Sequence, residues 1–232
     1  MHERSLFLGA TCLLLLAGET VAATDGVYHP YISRNERELE YGVTWRGIGD
    51  HPLSYQRISF AYAWADHVST ELYLLSESPS HSQARVRGYE LETKWQLTEQ
   101  GEFWADWGLL FEVEGSKGSD QREVSVGVLV EKELGKRWVA AANGIVEYEF
   151  GDLIENELET ALRAQIRYLK SPTFEPAIEL YLDYQDYAIG PALLGAYRFS
   201  AGKQIRWNIG LPLGIKRDTP STSLRVNLEF EF

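Results

Sequence analysis

The chain has 232 residues, with 34 acidic and 22 basic side chains and a formal net charge of −12 at pH 7. This acidic balance argues against nucleic acid as a partner, because phosphate backbones are bound by clusters of lysine and arginine. The single cysteine, Cys12, lies near the N-terminus. Cys12 falls within a segment that we expect to be removed (below), so the mature chain is expected to have neither a disulfide nor a lipid anchor.

Residues 1–23 are predicted to be a cleaved signal peptide. A basic start at His2 and Arg4 precedes the apolar stretch LFLGATCLLLLAG, and small residues follow it. The apolar stretch is shorter than the roughly 20 residues that a membrane-spanning helix needs, which disfavours an uncleaved helix. Cleavage is expected after Ala22 or Ala23.

Residues 24–36, ATDGVYHPYISRN, follow the predicted cleavage site. We expect this short tail either to stay in the periplasm or to enter the interior of the domain behind it. Its His29 fits an ordinary surface histidine better than a metal ligand, because no second ligand stands at a suitable spacing.

From Leu39 to the C-terminus, apolar and polar residues alternate in about twelve stretches. This period is typical of strands, since successive side chains leave opposite faces of a sheet. No other stretch is apolar enough for a membrane helix, so a membrane-embedded chain must be a closed barrel. The predicted fold is all-β: a transmembrane, antiparallel, up-and-down barrel of about twelve strands over residues 37–232, with both termini in the periplasm. A soluble barrel or sandwich is the alternative.

Aromatic residues at the predicted strand ends indicate two membrane interfaces. One rim is expected to carry Trp64, Trp95, Phe103, Trp138, Tyr168, Phe174, Phe199 and Phe232, and the other Trp45, Phe111, Tyr148, Tyr184 and Tyr187. This placement starts the fifth strand at Phe103, with Ala105 facing lipid. Between the third and fourth strands, Val86 and Tyr89 fall on different phases and predict a β-bulge.

The last nine residues, LRVNLEFEF, alternate strictly and end on an aromatic side chain. Phe230 and Phe232 resemble the C-terminal signal that the bacterial outer-membrane assembly machinery reads. This resemblance implies the assembly machinery and outer-membrane lipid as partners.

The remaining strand positions are predicted to line a lumen. The basic candidates are Arg46, Arg57, Arg163, Arg167, Arg198, Arg206 and Arg225. The acidic candidates are Glu71, Glu90, Glu92, Asp106, Glu112, Glu147, Glu179 and Asp183, interrupted mainly by Lys94. We expect a basic wall opposite an acidic wall, whose field would orient polar solutes. In the alternative, these charges pair inside a plugged interior, and a twelve-strand circumference is compatible with both.

An enzyme is a weaker interpretation. Asp50 and His51 in one loop, with His81 and its neighbouring serines in the next, could form a hydrolase site at the outer rim. Polar loops commonly contain these residue types, and the sequence shows no metal-ligand spacing, phosphate loop or dinucleotide motif, so no cofactor is expected.

Several segments together resemble small proteobacterial outer-membrane barrels, in the style of the transporters of the meta-pathway of phenol degradation and related uncharacterised barrels. They are ELGKRW, PAIELYLDY, IGPALLGAYRF, WNIGLPLGI and LRVNLEFEF. The resemblance implies a narrow channel for passive diffusion of a small polar or charged solute, without assigning individual residues. A non-conducting structural or interaction barrel is the first alternative, and an outer-membrane hydrolase is the second.

Overall fold

The structure, a computed structural model, describes residues 26–48, 52–78, 83–184, 186–216 and 219–232. The predicted signal peptide lies outside these ranges. Within them, the chain forms thirteen strand segments, and no helix there is long and apolar enough to cross a membrane. The segments are β1 (Arg37–Arg46), β2 (Leu53–Ala65), β3 (Val68–Ser78), β4 (Arg85–Gln96), β5 (Asp106–Ser116), β6 (Arg122–Leu134), β7 (Trp138–Phe150), β8 (Glu157–Tyr168), β9 (Glu175–Leu182), β10 (Tyr187–Ser200), β11 (Lys203–Gly210), β12 (Leu213–Gly214) and β13 (Ser223–Glu231).

The segments form a single antiparallel sheet that closes on itself. From β1 to β11, each strand pairs with the next, and β13 closes the barrel by pairing with both β11 and β1. The short β12 continues the line of β11 along β10 after a break at Leu211 and Pro212. The described segments therefore make twelve barrel strands, which confirms the predicted fold class.

The outer surface of the barrel is apolar. On β3, Leu72 and Leu74 are 57% and 48% exposed, whereas Tyr73 between them is 3% exposed. The same alternation recurs on other strands, for example at Val126 and Ile178 on the outside. A continuous apolar surface of this extent matches lipid rather than water.

The barrel has two rims. The terminal rim holds Arg37 and Phe232, whose backbones exchange hydrogen bonds, and the loop rim holds Arg46 and Ser223 at the other ends of the same strands. Exposed aromatic side chains surround the terminal rim, including Trp64, Trp95, Phe103, Trp138, Phe199 and the unpredicted Trp104.

Two details of register were predicted, and only one of them is correct. Arg87 is an extra residue in β4, because Leu75 pairs with Gly88 while Ser76 pairs with Val86, which confirms the predicted bulge. The predicted start of the fifth strand at Phe103 is wrong, and Ala105 is buried rather than lipid-facing. Consequently Phe111 lies in the middle of its strand instead of at a rim.

The later start of β5 has a local cause. The Thr98 hydroxyl accepts a hydrogen bond from the Trp107 backbone N–H at 2.9 Å, and Asp106 accepts one from the Gly101 N–H at 2.7 Å. These side chains hold residues 98–105 as a turn and compete with strand pairing.

Candidate functional site

The interior of the barrel contains part of the N-terminal tail. At the terminal rim, Asn35 has a positive φ of 61°, and its N–H donates to the Ala63 carbonyl at 3.0 Å. Asparagine tolerates this left-handed conformation better than most residues. The chain reverses direction here, so residues 26–32 lie inside the lumen and the exposed residues 33–35 lead to β1 at the rim.

The barrel wall binds the tail backbone at two levels. Asn143 on β7 accepts from the Tyr28 N–H at 2.7 Å and donates to the Tyr28 carbonyl at 2.9 Å. Gln96 on β4 accepts from the Ile32 N–H at 2.8 Å. Paired amide contacts of this kind satisfy backbone groups that would otherwise lose their water partners inside the barrel.

Tail side chains contact acidic residues of the wall. The Tyr31 hydroxyl donates to Asp106 at 2.7 Å, and the Tyr28 hydroxyl donates to Glu112 at 3.2 Å. His29 contacts Glu131 through its Nδ1 atom. The expectation of a surface histidine is therefore wrong, since the His29 side chain is only 18% exposed and lies in the lumen.

Among the ion pairs of the described residues, the most buried joins Arg225 on β13 to Glu179 on β9. The two side chains are 0% and 2% exposed, and their Nη2 and Oε2 atoms are 2.7 Å apart. Arg225 also donates to the Tyr181 hydroxyl and, at 3.2 Å, to Asn208. These strands are not neighbours in the sheet, so the pair links two parts of the wall across the interior.

The other arginines near the seam are interleaved with acids. Arg57 Nε lies 2.7 Å from Glu40, and Arg206 lies 3.0 Å from Glu231 and 3.5 Å from Glu229. A purely basic wall is therefore absent from the described strands there, because the acids of β1 and β13 face the same side as the arginines. Arg46 pairs with Asp186, whose backbone N–H donates to Asp183.

The remaining predicted bases lie elsewhere. Arg198 is exposed near the terminal rim. On β8, Arg163 is buried and its guanidinium lies 5.7 Å from the centre of the Tyr28 ring. Arg167 lies 3.3 Å from Glu175 and 3.7 Å from Glu131. Three strands, β9, β10 and β11, separate β8 from β13. Arg163 and Arg167 therefore do not join the group of arginines near the seam.

Strand pairing arranges many of the inward glutamates in two rows of directly paired positions. The first glutamate row follows directly paired residues from β13 to β8: Glu231, Glu38, Ala61, Glu71, Glu92, Glu112, Ser125, Glu147 and Glu159. The second glutamate row lies two residues nearer the loop rim: Glu229, Glu40, Ser59, Tyr73, Glu90, Glu114, Glu123, Glu149 and Glu157. Glutamate occupies fourteen of these eighteen described positions.

Both rows run between the two rims. The first row starts at Glu231, the last residue of β13 at the terminal rim, and ends at Glu159, the third residue of β8 near the loop rim. Barrel strands are tilted, so a row of directly paired residues climbs around the lumen as it passes from strand to strand. The rows thus form an acidic track along the wall from one mouth to the other.

The sequence predicts five row members as lumen acids, but not the rows themselves: Glu71, Glu90, Glu92, Glu112 and Glu147. Four further row members were not predicted, although their alternation with Leu39, Tyr41 and Phe230 is visible in the sequence: Glu38, Glu40, Glu229 and Glu231. The rim residues Asp50, His51 and His81 lie outside the described residues.

No protein-family model and no curated protein sequence matches the chain. Solved structures do match its fold. An outer membrane channel from Pseudomonas putida aligns with a TM-score of 0.62 at 14% identity, covering 89% of this chain and 97% of that one. The KdgM porin in complex with disordered oligogalacturonate aligns at 0.58 and 11% identity, covering 84% and 99%. The NanC porin aligns at 0.54 and 10% identity, covering 84% and 98%.

These similarities concern the fold. The chain has the twelve-strand, closed, antiparallel architecture of small outer-membrane porin-like barrels, with an apolar outer face and a charged interior. Its interior holds the tail and the two glutamate rows described above.

Proposed function

We propose that the protein is a narrow outer-membrane channel that passes a small polar or charged solute by passive diffusion. The observation that carries this proposal is the inner face, where charged side chains follow the wall from one rim to the other inside a closed barrel. A barrel with a purely structural role could fill its interior with apolar side chains, at a lower desolvation cost. The porins and the channel of the same fold support the proposal.

Export and orientation belong to the same proposal. A signal peptide at 1–23 would deliver the chain to the periplasm, and the assembly machinery would then insert it through the signal at Phe230 and Phe232. With an even number of barrel strands, both termini lie on one side, and we place the terminal rim in the periplasm.

The interior tail favours a second candidate, a barrel that does not conduct. The side chains of Tyr28, His29 and Tyr31 attach the tail to β5 and β6, and the Tyr28 backbone attaches it to Asn143 on β7. A segment held at so many points reduces the free cross-section of a twelve-strand lumen. In that case, the barrel would serve as a structural or interaction module instead of a channel.

Single-channel recording distinguishes the two candidates. The refolded mature protein is compared in a planar bilayer with a loosened-tail variant, Tyr28→Ala/His29→Ala/Tyr31→Ala. Arg34→Ala is the control, because this tail residue contacts only the exposed Asp66 at the rim in the described ion pairs. We expect discrete steps from the wild type and the control, and larger steps from the loosened-tail variant.

Folding is checked by heat-modifiable gel mobility. If all three folded proteins are silent, the channel proposal is refuted and the non-conducting barrel is favoured. If only the loosened-tail variant conducts, the tail closes the lumen at rest.

A further inference from the structure

We propose that the two glutamate rows make the lumen selective for cations and that Glu90, Glu92 and Glu112 form a binding site for a divalent cation within them. The passage of cations rests on the proposed channel function. The binding site stands on geometry alone, so the two parts can be tested separately.

The three carboxylates converge. One oxygen from each of Glu90, Glu92 and Glu112 lies within 4.8 Å of the other two. Calcium binds carboxylate oxygens at about 2.3–2.6 Å, so two oxygens on opposite sides of one ion are roughly 4.6–5.2 Å apart. The spacing therefore suits a single ion shared by two strands.

Burial supplies a second, independent observation. Glu92 is 4% exposed, and its Oε2 atom has no hydrogen-bond partner within the described part of the chain. Glu159, near the other end of the first row, is 8% exposed, and its Oε1 atom likewise has no hydrogen-bond partner there. A buried carboxylate oxygen without a donor is costly, and a cation offsets this cost directly.

The register adds a further reason for a cation. Glu92 is paired directly with Glu71 on one side and with Glu112 on the other. Like charges at directly opposite positions of a sheet destabilise it. Lys94 faces the same side two residues away and offsets only part of this charge. A divalent ion between the strands would turn the repulsion into shared coordination.

The rows also provide neighbouring sites in both directions. Adjacent strands are about 4.8 Å apart, so glutamates at directly paired positions lie within one side-chain length of each other. Ala61 and Ser125 interrupt the first row, and Ser59 and Tyr73 interrupt the second. Conduction requires several sites of moderate affinity instead of one deep trap. Arginine side chains contact the rows at Glu40, Glu114, Glu229 and Glu231. The deep burial of Glu92 makes the converging group of Glu90, Glu92 and Glu112 the place for an ion.

Binding can be measured without conduction. Terbium is the probe, because it substitutes for calcium and its emission is excited through nearby tyrosine. Two tyrosines lie beside the site: the Tyr28 hydroxyl donates a hydrogen bond to Glu112, and Tyr73 is paired with Glu90 across the strands. The refolded mature protein is compared with Glu90→Gln/Glu92→Gln/Glu112→Gln. The control, Glu99→Gln/Glu102→Gln/Glu133→Gln, removes the same charge outside both rows.

We expect saturable terbium emission that calcium displaces in the wild type and control, with affinity weakened about tenfold or more in the row variant. Equal affinity in the row variant and the wild type, or no emission from the wild type, overturns the binding site.

Selectivity is measured as the reversal potential in a potassium chloride gradient. The wild type and control should be cation-selective, and the row variant should shift towards no preference. A conducting wild type without cation preference overturns the selectivity while leaving the channel intact. A silent but folded wild type overturns the channel and its selectivity together, and terbium binding then decides the site.

Discussion

The buried pair of Arg225 and Glu179 allows a quantitative test of how the interior holds the barrel together. Both side chains are essentially inaccessible, and their contact is 2.7 Å. Replacing Glu179 by glutamine keeps the shape of the side chain but leaves the Arg225 guanidinium without its counter-charge. Tyr181 and Asn208 remain as partners, yet neither carries the negative charge that compensates an arginine.

Removing one partner of a buried ion pair costs about 3–5 kcal/mol, because the remaining charge stays desolvated. With a urea slope of about 2 kcal/mol/M, Glu179→Gln should lower the unfolding midpoint by roughly 1.5–2.5 M. The double variant Glu179→Gln/Arg225→Met removes both charges. Its loss should be clearly smaller than that of Glu179→Gln alone, because no uncompensated charge remains.

The assay is urea unfolding in lipid vesicles, followed by tryptophan fluorescence in both directions. Arg34→Met is the matched control, since the Arg34–Asp66 pair has side chains that are 67% and 56% exposed. This control should change stability by less than about 1 kcal/mol. The reasoning is refuted if Glu179→Gln matches the control or if the double variant is as unstable as the sum of its single changes.

Three further predictions concern the backbone and the terminal rim. A Cβ on Gly190 would lie 1.9 Å from the Leu211 carbonyl oxygen, so Gly190→Ala should reduce stability by about 1–3 kcal/mol or more, whereas Gly144→Ala, with open space around it, should be neutral in the same urea titration. Asn35→Gly should leave the tail in place, but Asn35→Val should speed hydrogen exchange at the Tyr28 amide, because a β-branched residue resists the positive φ; equal exchange in both would contradict this. Burial, followed by the neighbouring Glu231 carboxyl, raises the pKa of Glu36 to about 7. The folded state therefore holds this proton more tightly than the unfolded state, and stability falls as pH rises from about 4.5 to 7. Glu36→Gln should gain stability relative to wild type at pH 8 but not at pH 4, and an equal gain at both would disprove the assignment.

Much of the barrel could be predicted because alternation is a local property. The phase of apolar residues identified the lipid-facing side of most strands, and a break in that phase between Val86 and Tyr89 located the bulge at Arg87. The start of β5 was mispredicted because the side chains of Thr98 and Asp106 hold a turn where the pattern continues. The spacing of apolar residues carries no information about such side-chain contacts.

The candidate site was harder to predict, because it depends on contacts between distant parts of the chain. Tyr28 meets Asn143 across 115 positions of sequence, and no pattern within residues 24–36 indicates that partner. The expected basic wall failed for a related reason. Arg206 lies near the seam as predicted, but Glu229 and Glu231 share its side of the barrel and pair with it.

The sequence by itself determined that the chain is a barrel with an apolar outside and a charged inside, since the period of two follows from the geometry of a single strand. The tertiary structure decided which charges meet. Only the register between strands aligns Glu71, Glu92 and Glu112 in one row, and only closure of the barrel brings Arg225 to Glu179. A shift of one residue between two strands would turn a whole strand's inward set outward, so these pairings depend on every strand at once.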